Sequence, residues 1–309
     1  MTSERLAPLA IAETAHTKRV GIALMVGSAG LLTVGDAIAK SLSAGMPIGE
    51  IIFIRGVVIL VVLVAWRWPQ GIAALMPRNF RAQMRRAIFF VLATYLMIWS
   101  LSLLPLATAS AISFVAPIIT TALAPWLLRE HVDLRQWGAV LAGFLGALLV
   151  FAPAGQGWSW TLLIPFGAAV AQSLRDIETR QMAETETSES VVFVTIGATV
   201  LMGALTGLLG WVDRPAFGWS MPSVSECALF LLYGAVTCCA YLMQVGAFRA
   251  AEAAFLAPFK YSLIVWAVLV GFIVWGDVPG ISTFVGVAIA IASGLFIWKW
   301  ETGARAKHV

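Results

Sequence analysis

Ten apolar runs of about twenty residues, separated by short polar connections, constrain this chain more than any other feature. A helix rises 1.5 Å per residue and the hydrocarbon core of a bilayer is about 30 Å thick, so about 20 residues suffice to cross it. A membrane β-barrel would instead show strands of about ten residues with alternating polarity. The runs lie at about 20–40, 49–66, 87–104, 107–128, 136–153, 158–178, 189–211, 224–248, 253–275 and 279–299. The expected fold is therefore an all-α polytopic membrane protein with ten transmembrane helices. The connection over 67–86 is the longest of them, which leaves no room for a soluble domain.

Composition closes off the other classes. Of 309 residues, 60% are hydrophobic and 12% charged, against about 45–50% and about 25% in soluble domains. A water-soluble enzyme, a disordered chain and a nucleic-acid binder are excluded. The net charge of +4 belongs to cytoplasmic loops rather than to a nucleic-acid surface. The first twenty residues lack an apolar stretch followed by a small-residue cleavage site, so the first span is expected to be retained. With the N-terminus cytoplasmic, 16 of the 20 basic residues fall in inside segments, Arg86 and Arg175 among them. Lys40 and Arg214 lie outside, and Arg55 and Lys260 lie within spans. The positive-inside rule thus puts both termini in the cytoplasm. Most tryptophans sit at span ends, as interfacial belts require; Trp99 and Trp266 are the two well inside.

The two halves share motifs. Asp36–Lys40 and Asp176–Arg180 are both Asp-xxx-basic; Phe114-Val-Ala-Pro117 recurs as Phe255-Leu-Ala-Pro258; Gly138 and Gly146 match Gly286 and Gly294. This divides the chain into a cytoplasmic segment 1–19, a five-helix repeat 20–153, a second repeat 158–299 and a cytoplasmic tail 300–309. An odd number of spans per repeat forces the halves to insert with opposite topology, the inverted-repeat architecture of secondary transporters.

At this point the chain resembles the drug/metabolite transporter superfamily, of the EamA type. The resemblance runs over about residues 20–300. It is carried by the small-residue and proline segment Ala107–Pro117, by Leu128-Arg-Glu130 and Gln136-Trp-Gly138, and in the second half by Ala257-Pro-Phe-Lys-Tyr261, Trp275-Gly-Asp277-Val-Pro279 and Ser293-Gly-Leu-Phe296. Asp277 stands where the family more often has glutamate. The Asp36–Lys40 motif and the Pro-Phe-Lys-Tyr segment are similar to a branch that includes riboflavin and S-adenosylmethionine carriers. The resemblance implies a bacterial inner-membrane carrier with a central cavity between its halves, and it leaves the substrate open.

Ionisable residues inside spans cost about 2.5–3.5 kcal/mol each on insertion scales, so they pair or line a wet cavity. Arg55 either faces an anion or pairs with Asp36 or Glu50. Asp36 either serves the outer mouth or pairs with Lys40. Asp176, followed by Glu184, Glu186 and Glu189, reads as part of a solvated loop. Lys260 either lines the cavity or snorkels to the surface. Pro117 and Pro258 are candidate hinges, because each frees a backbone carbonyl. Tyr95 and Trp99 share a face of the third span. Tyr233, Thr237 and Tyr241 recur at i, i+4, i+8 on the eighth, with Gln244 nearby; such polar groups cannot bond to lipid and should face inward.

The candidate substrate-binding set is therefore Asp36, Arg55, Tyr95, Trp99, Tyr241, Gln244, Lys260 and Trp266. The mixed charges favour a neutral or zwitterionic metabolite, and the rings would stack on a planar one. No phosphate loop, nucleophile elbow or zinc motif occurs, and Cys227, Cys238 and Cys239 have no CxxC spacing, so no cofactor, metal or catalytic group is expected. The expected function is a secondary transporter of a small metabolite working by alternating access, with the lipid bilayer and a small molecule as partners; monomer and homodimer are both open. A membrane-embedded enzyme and a channel are the alternatives.

Overall fold

The computed structural model describes residues 15–43, 46–104, 112–151, 160–209, 219, 221–276 and 281–305. These form ten helical segments and, among the described residues, no strand. In chain order they are α1 Ala15–Ser43, α2 Ile48–Arg67, α3 Phe80–Leu103, α4 Ala116–Leu127, α5 Leu134–Phe151, α6 Leu163–Gln181, α7 Ser188–Leu209 and α8 Val224–Ala250. The segment α9 is composite, with a short turn Ala253–Leu256, a 3-10 stretch Ala257–Tyr261 and an α-helix Ser262–Trp275; α10 is Ile281–Arg305. Five of them are long and apolar enough to cross a bilayer by length and composition alone: Thr17–Leu42, Gly49–Arg67, Ser188–Thr206, Val224–Ala250 and Ala253–Val274. The protein is an all-α polytopic membrane protein.

Helix starts follow capping chemistry more closely than hydropathy. The Asn79 side chain accepts a hydrogen bond from the Ala82 amide at 3.1 Å, so α3 begins at Phe80, seven residues before its apolar run. Arg86 is thereby drawn two turns into a helix. Ser223 and Glu226 form a reciprocal capping box at the start of α8. Arg129 takes a left-handed conformation, φ 58°, immediately before Glu130. That turn aims the Glu130 carboxylate at the amides of Ala253 and Ala254, both at 3.1 Å, while Arg180 bonds it at 3.2 Å. One acidic residue thus caps α9 and ties it to α4 and α6, where the partial positive charge of the helix start favours an anion.

The helices alternate in direction, which sorts their ends onto two faces. The N-terminal part of α1, the C-terminal ends of α8 and α10 and the start of α9 meet in one cluster that includes Met25, Phe248, Phe255 and Ile297. Arg67–Glu189, Arg85–Glu178 and Arg180–Glu130 lie at this same basic end. The opposite end gathers the last turns of α1, the start of α2 and the start of α8 around Ile38, Leu42, Ile51 and Phe230.

Packing between helices has a further regularity. The principal contacts are α1 on α8, α3 on α6, α2 on α7 and α5 on α10, followed by α2 on α8, α3 on α7, α1 on α9 and α4 on α6. Exchanging each helix for the one five places away leaves this set unchanged. Large apolar side chains such as Val61, Leu145, Leu201 and Ile273 point outward, and alanines fill much of the interior, as in lipid-embedded bundles where small residues let helices approach.

Glycines serve that approach unequally. A Cβ on Gly146 would stand 2.6 Å from the Gly286 carbonyl oxygen, and the Tyr261 ring lies flat on Gly143. Gly138, whose spacing to Gly286 equals that of Gly146 to Gly294, faces open space. Gly146→Ala should therefore destabilise by about 1–3 kcal/mol through overpacking. Gly138→Ala should be neutral or stabilising by up to about 1 kcal/mol through helix propensity. Thermal unfolding in detergent separates the two. By the same assay, Glu130→Ala, which orphans two amides of α9, should cost about 2–3 kcal/mol.

Candidate functional site

A continuous tract of polar and aromatic side chains threads the bundle between its two ends. Nearest the end where α1 finishes is Asp36, which is exposed, while its counterpart Asp176 on α6 is 1% exposed. Arg55 on α2 lies in electrostatic range of Asp36 but bonds the Tyr233 hydroxyl at 2.9 Å, its guanidinium 5.2 Å from that ring's centre. Neither of the ion pairs weighed from the sequence, with Asp36 or with Glu50, forms. Among the described residues, the Arg55 Nε and the Thr237 hydroxyl are buried without a hydrogen-bond partner, and Thr237 faces Gly35, next to Asp36.

Two turns further along α8 is Tyr241, partly exposed and in electrostatic range of both Arg55 and Arg86. Its ring meets Phe90 of α3 edge-on at 5.5 Å. Phe90 in turn carries the Arg175 guanidinium 5.6 Å from its centre. Gln244, one turn beyond Tyr241, is also partly exposed.

The tract ends in a compact charge cluster toward the basic end. Arg175 binds one oxygen of Asp176 through two nitrogens, at 2.8 and 3.1 Å, and Lys260 binds the other oxygen. Lys260 belongs to the 3-10 stretch of α9 just after Pro258, and this pairing turns its side chain inward instead of letting it snorkel to the surface. Arg86, 4% exposed, bonds the hydroxyls of Thr179 at 2.6 Å and of Thr195.

Three features of this cluster depart from the sequence expectation. Arg86 and Arg175, assigned to cytoplasmic segments, are buried in α3 and α6. Asp176, read as part of a solvated loop, is the anchor of the cluster. Glu186, assigned to that same loop, is 3% exposed and accepts from the Asn79 amide at 2.5 Å and from Gln83 at 2.7 Å. The signal that finds Arg86 is the Asn79 cap, because a helix starting at Phe80 puts Arg86 and Phe90 on one face at i, i+4.

The remaining candidates brace the tract from its flanks. The Tyr95 hydroxyl shares a hydrogen bond with Thr206 at 3.2 Å, joining α3 to α7. Tyr95 is five residues from Phe90, which turns it about 140° around the helix. Trp99, one turn further, is half exposed. The Trp266 indole donates to the Val26 carbonyl at 3.0 Å and lies against Gly30, joining α9 to α1. Pro117 stands in the first turn of α4, where the Ala116 carbonyl accepts from Ser173 at 2.7 Å. Pro258 opens the 3-10 stretch of α9, whereas Pro117 follows a turn at the start of an ordinary α-helix. Among the described residues no group of histidine, cysteine or acidic side chains could hold a metal.

The EamA-like transporter family model matches residues 19–152. The chain is similar to a riboflavin transporter of Vibrio cholerae, 26% identical over 89% of this chain and 94% of that one. It is also similar to an S-adenosylmethionine uptake transporter of Rickettsia bellii, 24% identical over 95% and 98%. A solved crystal structure superposes with a TM-score of 0.74 at 18% identity, covering 89% of this chain and 95% of that one, and so shares the fold. The family match lies in the first half of the chain, while the relatives align along nearly its whole length.

Proposed function

We propose that this protein is a secondary carrier that moves a small, ring-bearing metabolite across a bacterial inner membrane by alternating access. The observation that carries the proposal is the difference between two equivalent carboxylates. Asp36 and Asp176 are 140 residues apart, as are Arg55 and Thr195. Arg55 of α2 bonds Tyr233 of α8, and Thr195 of α7 bonds Arg86 of α3. Exchanging helices five places apart turns one contact into the other. Yet Asp36 is exposed and Asp176 is sealed, as in a carrier open at one end and closed at the other.

This supports a division into repeats 20–153 and 158–299 related by a pseudo-twofold axis in the membrane plane. In the alternate state Asp36 closes onto Arg55, whose free Nε and the neighbouring Thr237 hydroxyl wait for it, while Asp176 releases Lys260. Pro117 and Pro258 absorb the change. The substrate contacts Arg55, Tyr241, Gln244 and Lys260, with Asp36 at the entrance and Tyr95, Trp99 and Trp266 bordering from the bracing helices. The names of the two relatives, carriers of riboflavin and of S-adenosylmethionine, both designate metabolites built on planar heterocycles. The basic end, which holds Arg67, Arg85 and Arg180, faces the cytoplasm by the positive-inside rule.

Purified protein in proteoliposomes should take up a labelled ring-bearing metabolite saturably, and Asp176→Asn should lower the initial rate at least about tenfold by leaving two buried cations without their carboxylate. If no solute of a metabolite panel crosses faster than in empty vesicles, under pH gradients of either sign, the carrier reading fails. Orientation has its own test. Cys227, exposed in the first turn of α8, should react with a membrane-impermeant maleimide in intact spheroplasts, and Cys227→Ser should abolish that labelling. Labelling only after permeabilisation would invert the assigned topology.

A further inference from the structure

The charge cluster at the closed end holds three cations and one carboxylate. Both oxygens of Asp176 are occupied, one by Arg175 and the other by Lys260. Arg86 lies in electrostatic range of Asp176, but among the described residues its hydrogen bonds go to the hydroxyls of Thr179 and Thr195 and to no carboxylate. The nearby Glu178 is engaged by Arg85. A buried guanidinium satisfied only by neutral hydroxyls is costly in a membrane interior. It is also a preformed anion receptor, because a guanidinium offers a fork of donors matched to carboxylate or phosphate.

The surroundings specify more than charge. The Tyr241 and Phe90 rings stand between Arg55 and the cluster, so a flat heterocycle stacked there places its polar substituents between Arg55 on one side and Arg86 on the other. We infer that the substrate is a planar heterocyclic metabolite bearing an anionic group, held by Arg86, and that cationic metabolites are rejected by the same charge. This rests on the carrier reading and narrows it: the two cations and one carboxylate visible as span residues suggested a neutral or zwitterionic solute, whereas Arg86 and Arg175 tip the interior to a positive excess. Rejection of a cation follows because like charges brought together in a desolvated site cost several kilocalories per mole.

Three probes separate the possibilities on the full-length protein: riboflavin, a neutral flat ring; riboflavin 5′-phosphate, the same ring with an anion; and S-adenosylmethionine, whose sulfonium and ammonium groups outweigh its one carboxylate and leave it a net cation. Affinity is read from thermal stabilisation in detergent, and transport from uptake into proteoliposomes. The phosphate ester should bind at least about tenfold more tightly than riboflavin, the range expected for one charge-assisted hydrogen-bond pair, and S-adenosylmethionine should give no shift. Arg86→Gln should bring the ester and riboflavin within about threefold of each other. Arg86→Lys, which keeps the charge but not the fork, should retain part of the preference. The melting point of each variant without ligand shows that it is folded. If the ester stabilises no better than riboflavin, including the case where neither stabilises, the inference is overturned. Uptake of S-adenosylmethionine without any effect of the ester overturns it while leaving the carrier intact. Arg86-dependent binding of the ester with no transport of any probe supports the anion site and sinks the carrier reading instead.

Discussion

Much of this structure is organised around the Asp176 carboxylate. It holds Arg175 of its own helix and Lys260 of α9 at once. Removing it would leave two charges stranded in a low-dielectric interior, where an unpaired ion costs far more than a pair returns. The position of Lys260 depends on Pro258, which opens the 3-10 stretch that turns the lysine inward. The position of α9 depends on Glu130, which caps its first turn. These charges join α3, α4, α6, α7 and α9 at the basic end, beside the apolar cluster of Met25, Phe248, Phe255 and Ile297.

Elsewhere the helices meet through a different economy. Lipid offers no hydrophobic gain for bringing two helices together, so contact relies on close approach and on internal hydrogen bonds. Gly146 against the Gly286 carbonyl and Gly143 under Tyr261 provide the approach. Threonine hydroxyls at 33, 120, 121 and 199 bond carbonyls of their own helices, which satisfies them without fixing any neighbour. The bundle is thus stiff along each helix and comparatively free between them, except where Trp266, Tyr95 and Tyr261 cross-link specific pairs. Rigid helices with few fixed crossings suit a fold that must exist in two arrangements of similar energy.

How far the sequence discloses this depends on which physical rule governs each residue. The number and order of the helices follow from hydropathy, because lipid enforces it over every run of about twenty residues. The tract residues Arg55, Tyr241 and Lys260 are visible for the same reason: a polar group inside an apolar run announces itself. Arg86, Arg175 and Asp176 are not visible in that way. They sit where a span merges into a charged connection, and hydropathy averages cannot tell a loop from the buried turn of a helix. The cap at Asn79 resolves Arg86, but Asp176 is resolved only by tertiary contact, since its neighbours Glu178 and Glu184 look equally solvated in sequence. The same limit applies to Gly138, whose spacing matches that of a packing glycine although no neighbour faces it.

The asymmetry between Asp36 and Asp176 also bears on what can drive the change of state. Two arrangements related by symmetry have similar intrinsic energies, so a ligand moves the equilibrium only by binding one of them better. In the present arrangement the closed end is short of negative charge by two, and the open end has Asp36 unengaged beside Arg55. In the proposed carrier, an anion seated between Arg55 and Arg86 would relieve the excess of cations at the basic end and compete with Asp176 for them, weakening the contact that holds that end together. At the other end, in the proposed carrier, the same anion would draw Arg55 away from Tyr233, leaving other donors of the guanidinium to meet Asp36. One bound charge thereby biases both ends in the same direction, and a neutral ligand of the same shape, making only stacking contacts with Tyr241 and Phe90, would occupy the tract without that bias.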